Sequence, residues 1–504
     1  MVFVWDRVPV AIVAIGVALS LWATDVLELQ QALAGFGDPT VIFIASLFVV
    51  SEALDSAGVT TWAGQQVISR AGESRTRVLV LLMLLCAVLT ALITVNGSVA
   101  ALVPVVVVMA VRLRRRPSEL LIPLAFAAHA GSLLVLTGSP VNVVISEAAG
   151  DAGVGRINYF EFALVGVPLL AGTVAIVVLL SGRLLPERTP RSMPSDFSAH
   201  AQTLVHQYGL DRADELLTRT SGVAEVVIPP RSELVGQVAY RGMVTESGDL
   251  VVLAVQRKDQ DLPGESVLAV GDTLLLRGSW GSLDHHLDDP DVLVVNAPEE
   301  VRRQTVPLGP GAKRALVVLA GMVALLASGA VPPAVAGLLA ACAIVLSGVL
   351  SIEQAYHGIA WTTVILVAGM IPLATAMTET GAAEELASGL IDLAGDSGPH
   401  VLLLGLVVLV FALGQLISNM ATALIVIPIA VSAAAELDVS PKPMLMGVAV
   451  AAAAAFLTPV ATPANLMVKE PGGYRFGDYW RMGLPLLVLF GLVAVLLVPL
   501  IWSF

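Results

Sequence analysis

The sequence predicts an α-helical polytopic membrane protein: an inverted repeat of two related halves, each with a re-entrant hairpin and a broken helix, around a small α/β domain. Three observations predict it. Of 504 residues, 57% are hydrophobic and only 13% charged, against roughly 25% charged in an average soluble domain, and the mean hydropathy is +0.86. The apolar part repeats itself at a fixed offset. Finally, TGSPVNVV (Thr137 to Val144) and VATPANLMV (Val460 to Val468) each place a proline two residues before an asparagine, inside long apolar runs.

The repeat fixes the division of the chain. Aligning the segment from Val8 with that from Val331 sets an offset of 323 (331 minus 8) and pairs Pro9 with Pro332, Gln31 with Gln354 and Gly35 with Gly358. Continued without a gap, it pairs Gly58 with Gly381, Asn96 with Asn419, Pro140 with Pro463, Asn142 with Asn465 and Glu147 with Glu470. Pro104 and Pro428 miss this register by one residue, and GVPLL from Gly166 meets GLPLL from Gly483 only after a shift of six. Coincidences on Gly, Pro, Asn and Gln are not what shared apolar composition produces.

In chain order, residues 1–182 form the first membrane copy, with crossings near 8–24, 39–57, 120–149 and 161–181. The segment from Val8 has the length of a signal-peptide core, but its equivalent from Val331 to Ser347 lies deep in the chain, so it is read as a retained crossing. Around Asn96 an apolar run, a polar tip (TVNGS) and a second apolar run follow one another. Each arm falls short of the ~20 residues a crossing needs, so residues 78–111 are expected to enter and leave by one face. The 120–149 crossing is broken at its Pro-x-Asn stretch, leaving unwound backbone that is tolerated at membrane depth only inside protein or beside an aqueous cavity.

From 183 to 312 the composition changes to ordinary charge density, with short alternating runs (AEVVIPP, DLVVLAVQR, DTLLLRG) punctuated by SGD and VGD turns. These read as strands of a small soluble domain, between proline- and arginine-rich linkers. Residues 313–504 are the second copy, preceded by an unmatched crossing at about 314–329, with a hairpin about 400–433 and a broken helix about 444–469.

Four crossings return the first copy to its starting side, and the unmatched helix then inverts the second. Charge agrees: Arg70, Arg75, Arg77, Arg112, Arg114, Arg115, Arg116, Lys313, Arg314, Lys469, Arg475 and Arg481 fall on one side, against Arg156 and Lys442 on the other. The positive-inside rule makes the first side cytosolic, places the soluble domain in the cytosol and the chain in the cell (inner) membrane, and turns the loops around Glu379, Glu384, Glu385, Asp392 and Asp396 outward. The two hairpin tips, entering from opposite faces, are expected to meet at mid-bilayer beside the two breaks.

Such breaks have chemical uses. Freed carbonyls and Asn, Ser or Thr oxygens replace the hydration of a small cation, and half-helix amino termini present N–H groups and positive dipole ends to an anion. No lysine or arginine lies within the four motifs, so an anion depends on dipoles, hydroxyls and captured cations, which predicts coupling. The net charge of -13 offers no basic patch, and no nucleic-acid partner is expected. Cys86 and Cys342 lie in apolar runs without metal-site partners.

The stretches ISNMATALIVIPIA, LTPVATPANLMV and PGGYRFGDYWRMGLPL, with GFGDPTVIFIASLFVVSEALDSAG and TGSPVNVV as first-half counterparts, resemble the divalent anion:sodium symporter family of the ion transporter superfamily over nearly all of both halves. The stretch GVAEVVIPPRSELVGQ with GDLVVLAVQR and LAVGDTLLLRGSW is similar to the C-terminal regulatory domain of TrkA-type potassium-transport proteins (TrkA-C, or RCK_C). The resemblance implies a homodimeric elevator-type transporter for symport of a small divalent anion (sulfate or dicarboxylate) with Na+ as coupling ion, no organic cofactor, and a small regulatory ligand for the cytosolic domain. Carried over by position, it implies substrate contacts at Asn96, Gly97, Ser98, Ser139, Pro140, Asn142, Ser418, Asn419, Met420, Thr462, Pro463 and Asn465. Sodium ligands are implied at Thr94, Asn96, Ser98, Gly138 and Asn142 in the first half, and at Ser418, Asn419, Thr422, Ala461 and Asn465 in the second. Gly97 and Met420 stand where the family often has a hydroxyl, which weakens a C4-dicarboxylate assignment and leaves room for sulfate.

Alternatives from the residues are a sodium/proton antiporter, for which Glu52 is the intramembrane carboxylate to examine, and an anion channel or sensor gated by the soluble domain. Glu52 and Asp55 read better as a helix terminus, and His129, aligned with Ala452, as a packed, hydrogen-bonded residue. GDSG at Gly395 and the sequon NGS at Asn96 carry no supporting context. No hydrolase, P-loop or zinc signature points to an enzyme.

Overall fold

The computed structural model describes residues 9–71, 74–113, 115–188, 221–245, 247–257, 260–262, 264–287, 291–295, 308–309, 311–394, 398–415 and 417–504. Val8, Arg114, Asp396, most of GDSG at Gly395 and most of the first expected linker lie outside the described residues. The chain divides into two units, one built from both apolar copies and one from residues 57–62 and 194–312.

In the first copy the helices are α1 (Val10–Ala23), α2 (Leu29–Leu33), α3 (Pro39–Ser56), α4 (Val59–Ala71), α5 (Arg75–Leu92), α6 (Val95–Arg112), α7 (Leu121–Gly131), α8 (Pro140–Asp151) and α9 (Ala163–Leu184). The intervening domain contributes β1 to β7 and α10 (Trp280–Leu287). The second copy follows α11 (Ala312–Ser328), the unmatched helix. It comprises α12 (Pro333–Leu346), α13 (Ile352–Gly358), α14 (Trp361–Glu379), α15 (Ala382–Ala394), α16 (Pro399–Gly414), α17 (Asn419–Glu436), α18 (Pro441–Ala452), α19 (Pro463–Lys469) and α20 (Tyr479–Leu492), extended by a π-helical turn to Ile501. Six helices among the described residues are long and apolar enough to cross a membrane.

Helix boundaries carry the repeat. The bounds of α1 and α12, and of α4 and α15, differ by 323 at both ends (10 to 333 and 23 to 346; 59 to 382 and 71 to 394). The turns before α4 and α15 both need a left-handed backbone, and glycine supplies it at Gly58 (φ 74°) and Gly381 (φ 75°). Packing is exchanged reciprocally: α1 lies on α14 and α12 on α3, while α8 packs on α17 and α18, and α19 on α6 and α7. This is the pattern that a two-fold relation between the copies requires. The contacts match residue by residue: a Cβ at Gly369 would stand 2.7 Å from the Ala14 backbone, and one at Gly337 would stand 3.0 Å from Ser46 Cβ.

Two expectations change. The hairpin arms are longer than the sequence suggested: α5, α6 and α17 each have 18 residues, and α5 and α17 are among the six helices long enough to cross. The hairpin register is also 324 rather than 323, since α6 starts at Val95 and α17 at Asn419. The N-cap sets that frame. Thr94 Oγ1 accepts from Gly97 N (3.2 Å) as Ser418 Oγ accepts from Ala421 N (3.2 Å). Asn96 therefore corresponds to Met420, and Asn419 to Val95. The extra residue falls between α15 and α16, and the original offset returns by the breaks.

The second unit holds a five-stranded antiparallel sheet in which β4 (Gln260–Asp261) and β7 (Leu293–Val294) are the edges, in the order β4-β3-β6-β1-β7. The three alternating runs supply β1 (Ser221–Val227), β3 (Leu250–Arg257) and β6 (Thr273–Ser279), and their inward residues pack with Trp280 and Leu283 of α10. The Asp272 carboxylate, 0% exposed, accepts both nitrogens of the Arg257 fork at 2.7 Å and the Ala269 N–H at 2.7 Å. The Arg257 fork, opposed by burial and helped by Ala269, holds the carboxyl below the usual aspartate range.

Two predictions follow from this packing. Gly166 and Gly483 press on the Leu133 and Phe456 carbonyls, where a Cβ would stand 2.1 and 2.3 Å from oxygen. Gly166→Ala or Gly483→Ala is expected to lower thermal stability in detergent by about 1–3 kcal/mol, whereas Gly321→Ala, with nothing within 4 Å, leaves it unchanged. In the sheet, a depressed aspartate pKa stabilises above the unfolded value and is lost as pH falls through the folded one. Amide exchange of β3 and β6, corrected for intrinsic rate, should rise on acidification in the full-length protein and lose that pH dependence in Asp272→Asn.

Candidate functional site

The two breaks are built alike. α7 ends at Gly131 and α18 at Ala452, and α-helix resumes only at Pro140, after a short 3-10 turn over Leu136–Gly138, and at Pro463. Each proline occupies the first helical turn, where its missing N–H costs nothing, behind an N-cap hydroxyl. Ser139 Oγ accepts from Val141 N (3.2 Å), and Thr462 Oγ1 from Asn465 N (3.3 Å). The prolines thus start the second half-helix, and the unwound residues precede them.

The asparagines hold the unwound backbone in place. Asn142 Nδ2 donates to the carbonyls of Ser132 (2.7 Å) and Val135 (3.1 Å), and Asn465 Nδ2 to those of Ala455 (2.7 Å) and Thr458 (3.0 Å). The acceptors lie ten and seven residues before the donor in both copies. A side-chain amide is the fitting group, because two donors on one nitrogen satisfy two carbonyls that the helix has released.

Both breaks and both hairpin tips line one cavity of about 290 Å³. Thr94, Val95 and Asn96 come from the first tip, Gly138, Ser139, Pro140 and Asn142 from the first break, Ser418, Asn419 and Met420 from the second tip, and Ala461, Thr462 and Pro463 from the second break. The first tip and second break belong to different copies, as do the second tip and first break. Gly97, Ser98, Thr422 and Asn465, also expected at the site, lie behind the wall rather than on it. Sequence reasoning did not select Val10, Phe48, Thr362, Thr363 or Leu366, which also line the cavity from the scaffold helices α1, α3 and α14. Their positions show no break or polar cluster that would have singled them out. No carboxylate, lysine or arginine is among the described residues that line it.

His129 lines the cavity and joins the copies. It is 1% exposed, and its Nε2 lies 3.3 Å from Asn465 Oδ1 and 3.2 Å from Thr462 Oγ1. The amide oxygen only accepts, so Nε2 donates. The ring stands edge-on to Phe456 at 5.8 Å. This is the packed, hydrogen-bonded histidine expected from sequence, though at the site itself. Glu52 is not on the wall; its side chain packs where a Cβ at Gly358 would stand 2.6 Å from it.

Ion pairs and hydrogen bonds also tie the two copies together. Lys442 Nζ, at the start of α18, meets Glu161 at 2.8 Å, and Arg188 grips Asp478 through Nε (3.1 Å) and Nη2 (3.0 Å). Tyr474 of PGGYRFGDYW donates to the Ser118 carbonyl (2.6 Å) and accepts from Ile122 N (3.1 Å), while Tyr479 donates to the Asn465 carbonyl (2.7 Å). That motif therefore fastens the second break to the start of α7.

Five buried side-chain polar atoms lack a hydrogen-bond partner among the described residues, and three belong to the second-half junction: Asn419 Oδ1, Thr422 Oγ1 and Thr458 Oγ1. Leaving such an atom unsatisfied costs about 1–3 kcal/mol. Three uncharged oxygens suit a monovalent hard cation better than a divalent one, which calls for carboxylates. No group of three or more His, Cys, Asp or Glu able to hold a metal occurs among the described residues.

Clamp and wall asparagines should separate experimentally. Asn142→Ala or Asn465→Ala, which orphans two released carbonyls, is expected to lower stability by about 2–4 kcal/mol. Asn96→Ala, at an exposed cavity position, leaves the unfolding midpoint within error of wild type.

Comparison with known proteins gives the family. The family model described as CitMHS, citrate transporter, matches residues 1–439 and 393–504. The uncharacterized transporter YfbS of Escherichia coli (strain K12) is 30% identical over 594 residues, covering 100% of this chain and 97% of that one. Sodium/sulfate cotransporter 1 of Chlamydomonas reinhardtii is 25% identical over 290 residues, 54% of this chain and 32% of that one. Among solved structures, the Alcanivorax borkumensis YdaH transporter aligns with a TM-score of 0.46 at 17% identity, covering 94% of this chain and 88% of that chain.

Proposed function

The chain belongs to the citrate transporter family and is an integral membrane transporter rather than an enzyme, and we propose that it is a secondary active symporter of a small divalent anion with sodium. The carrying observation is the single cavity, walled by two hairpin tips and two broken helices from both copies, with no lysine or arginine among its described lining residues. A dianion there meets helix amino termini and the hydroxyls of Thr94, Ser139, Ser418 and Thr462, with Asn96 and Asn419 beside them. Binding is completed by captured sodium, whose charge supplies what the wall lacks. The junction oxygens of Asn419, Thr422 and Thr458 fit such an ion.

Sulfate is the first anion to test. Relatives named sodium/sulfate cotransporters align over part of the chain, and the lack of a hydroxyl at Met420 on the wall favours a compact tetrahedral oxyanion over a C4-dicarboxylate. The absence of a carboxylate from the described wall favours symport over sodium/proton antiport. In the expected elevator movement, the broken helices and hairpins carry the cavity past α1, α3, α12 and α14 within a homodimer in the inner membrane. The sheet domain acts as the cytosolic TrkA-C-like regulator.

The test is uptake of labelled sulfate and labelled succinate into proteoliposomes, with and without an inward sodium gradient. Sodium-driven accumulation of either anion is expected, reduced at least about tenfold in Asn96→Ala and Asn419→Ala, the loss given by removing one preorganised polar contact. Equal uptake with and without the gradient, or variants indistinguishable from wild type, would contradict the proposal.

A further inference from the structure

The two copies, superposed through their helix frames, are unequal where a cation would sit. With the hairpin register of 324, Asn419 corresponds to Val95, Thr422 to Ser98 and Gly414 to Thr90, and with the break register of 323, Thr458 corresponds to Val135. Thus two of the three unpartnered oxygens of the second half are replaced by valine side chains in the first. The third is already satisfied: Ser98 Oγ lies 2.5 Å from Thr90 Oγ1 and 3.1 Å from the Val95 carbonyl. In the second half Gly414 provides no such hydroxyl, and a Cβ there would meet only Asn419 Oδ1, at 4.0 Å. Thr422 is 0% exposed and its hydroxyl has no partner among the described residues.

We propose that the chain has one cation site rather than one in each half, formed at the second-half junction by Asn419, Thr422 and Thr458. The first-half junction has been converted into a self-satisfied hydroxyl pair. Asn419 and Thr422 sit one turn apart on α17 and so share a face. Thr458 is drawn to the same tip by Gln415, whose Oε1 accepts from Leu457 N (3.2 Å) and whose Nε2 donates to the Ala454 carbonyl (3.4 Å). Asn465, expected as a ligand, is outside the set because its oxygen accepts from His129. All three ligands are neutral oxygens, which selects a monovalent cation. Asn96, one residue out of register with Asn419, also lines the cavity but is exposed there, whereas Asn419 Oδ1 is buried, and Asn96 is left to the anion. A single cation carries one charge against a dianion, so each cycle would move net negative charge inward.

This assignment rests on the sodium-coupled reading of the cavity, but it is tested without transport. Radioactive sodium binding to the purified full-length protein, in the absence of any anion or gradient, should saturate at one ion per chain. Thr422→Val should weaken it at least about tenfold, as loss of a ligand-shell contact does, while Thr422→Ser retains it. Ser98→Ala and Thr90→Val should bind sodium as wild type does. Equal unfolding midpoints of Thr422→Val and Thr422→Ser in sodium-free buffer confine the loss to the ion. Two ions per chain, no binding, or equal losses in Ser98→Ala and Thr422→Val would overturn the single site. One ion per chain, lost in Thr422→Val, upholds it even where anion uptake ignores a sodium gradient, and that outcome would remove only the symport reading.

Discussion

A helix broken within a membrane protein survives only where something takes up its released carbonyls, be it a protein group or the water of a cavity. In both copies that something is a single asparagine side chain. Asn142 and Asn465 each reach back over ten residues and bridge two carbonyls of the unwound stretch. Everything else at the centre depends on these two clamps. They fix where α8 and α19 begin, hence where the caps Ser139 and Thr462 point and where the cavity opens. Gly166 and Gly483, each without a Cβ, then let α9 and α20 lie directly on the same breaks.

Duplication explains the shared cavity, and divergence explains its chemistry. Reciprocal packing of the copies brings each hairpin tip against the other copy's helices, so one wall is drawn from four segments far apart in sequence. The copies have not kept equal side chains there. His129 stands where the other half has Ala452 and takes the Asn465 oxygen. Thr90 stands where the other half has Gly414 and takes the Ser98 hydroxyl. Each substitution satisfies a polar atom on one side of the pseudo-symmetry, and the second leaves its counterpart, Thr422 Oγ1, open. Two such local changes suffice to make a symmetric scaffold chemically one-sided.

Much of this was legible in the residues. Equal spacing of Gly, Pro and Asn gave the halves, and the helix bounds repeat the offset to the residue in α1 and α12. Pro-x-Asn located both breaks, because a proline that opens a half-helix and an amide that clamps the preceding turn act on the same few residues. Legibility failed at the hairpins. An ungapped alignment paired Asn96 with Asn419, whereas the frame is set by the caps Thr94 and Ser418, which shift the register by one. Thr458 was invisible for a related reason: its counterpart is Val135, so the repeat carries no signal there. The scaffold contribution of Phe48, Thr362 and Thr363 required the tertiary packing, which no local pattern encodes.

The central claim is that both breaks bound one anion site. On a Cys342→Ser background, with Cys86 buried, a small thiol reagent can label Ser139→Cys in the first break and Thr462→Cys in the second. Titration with sulfate should protect both cysteines in parallel, with the same half-saturating concentration. Protection of one without the other, or at clearly different concentrations, would contradict a shared site.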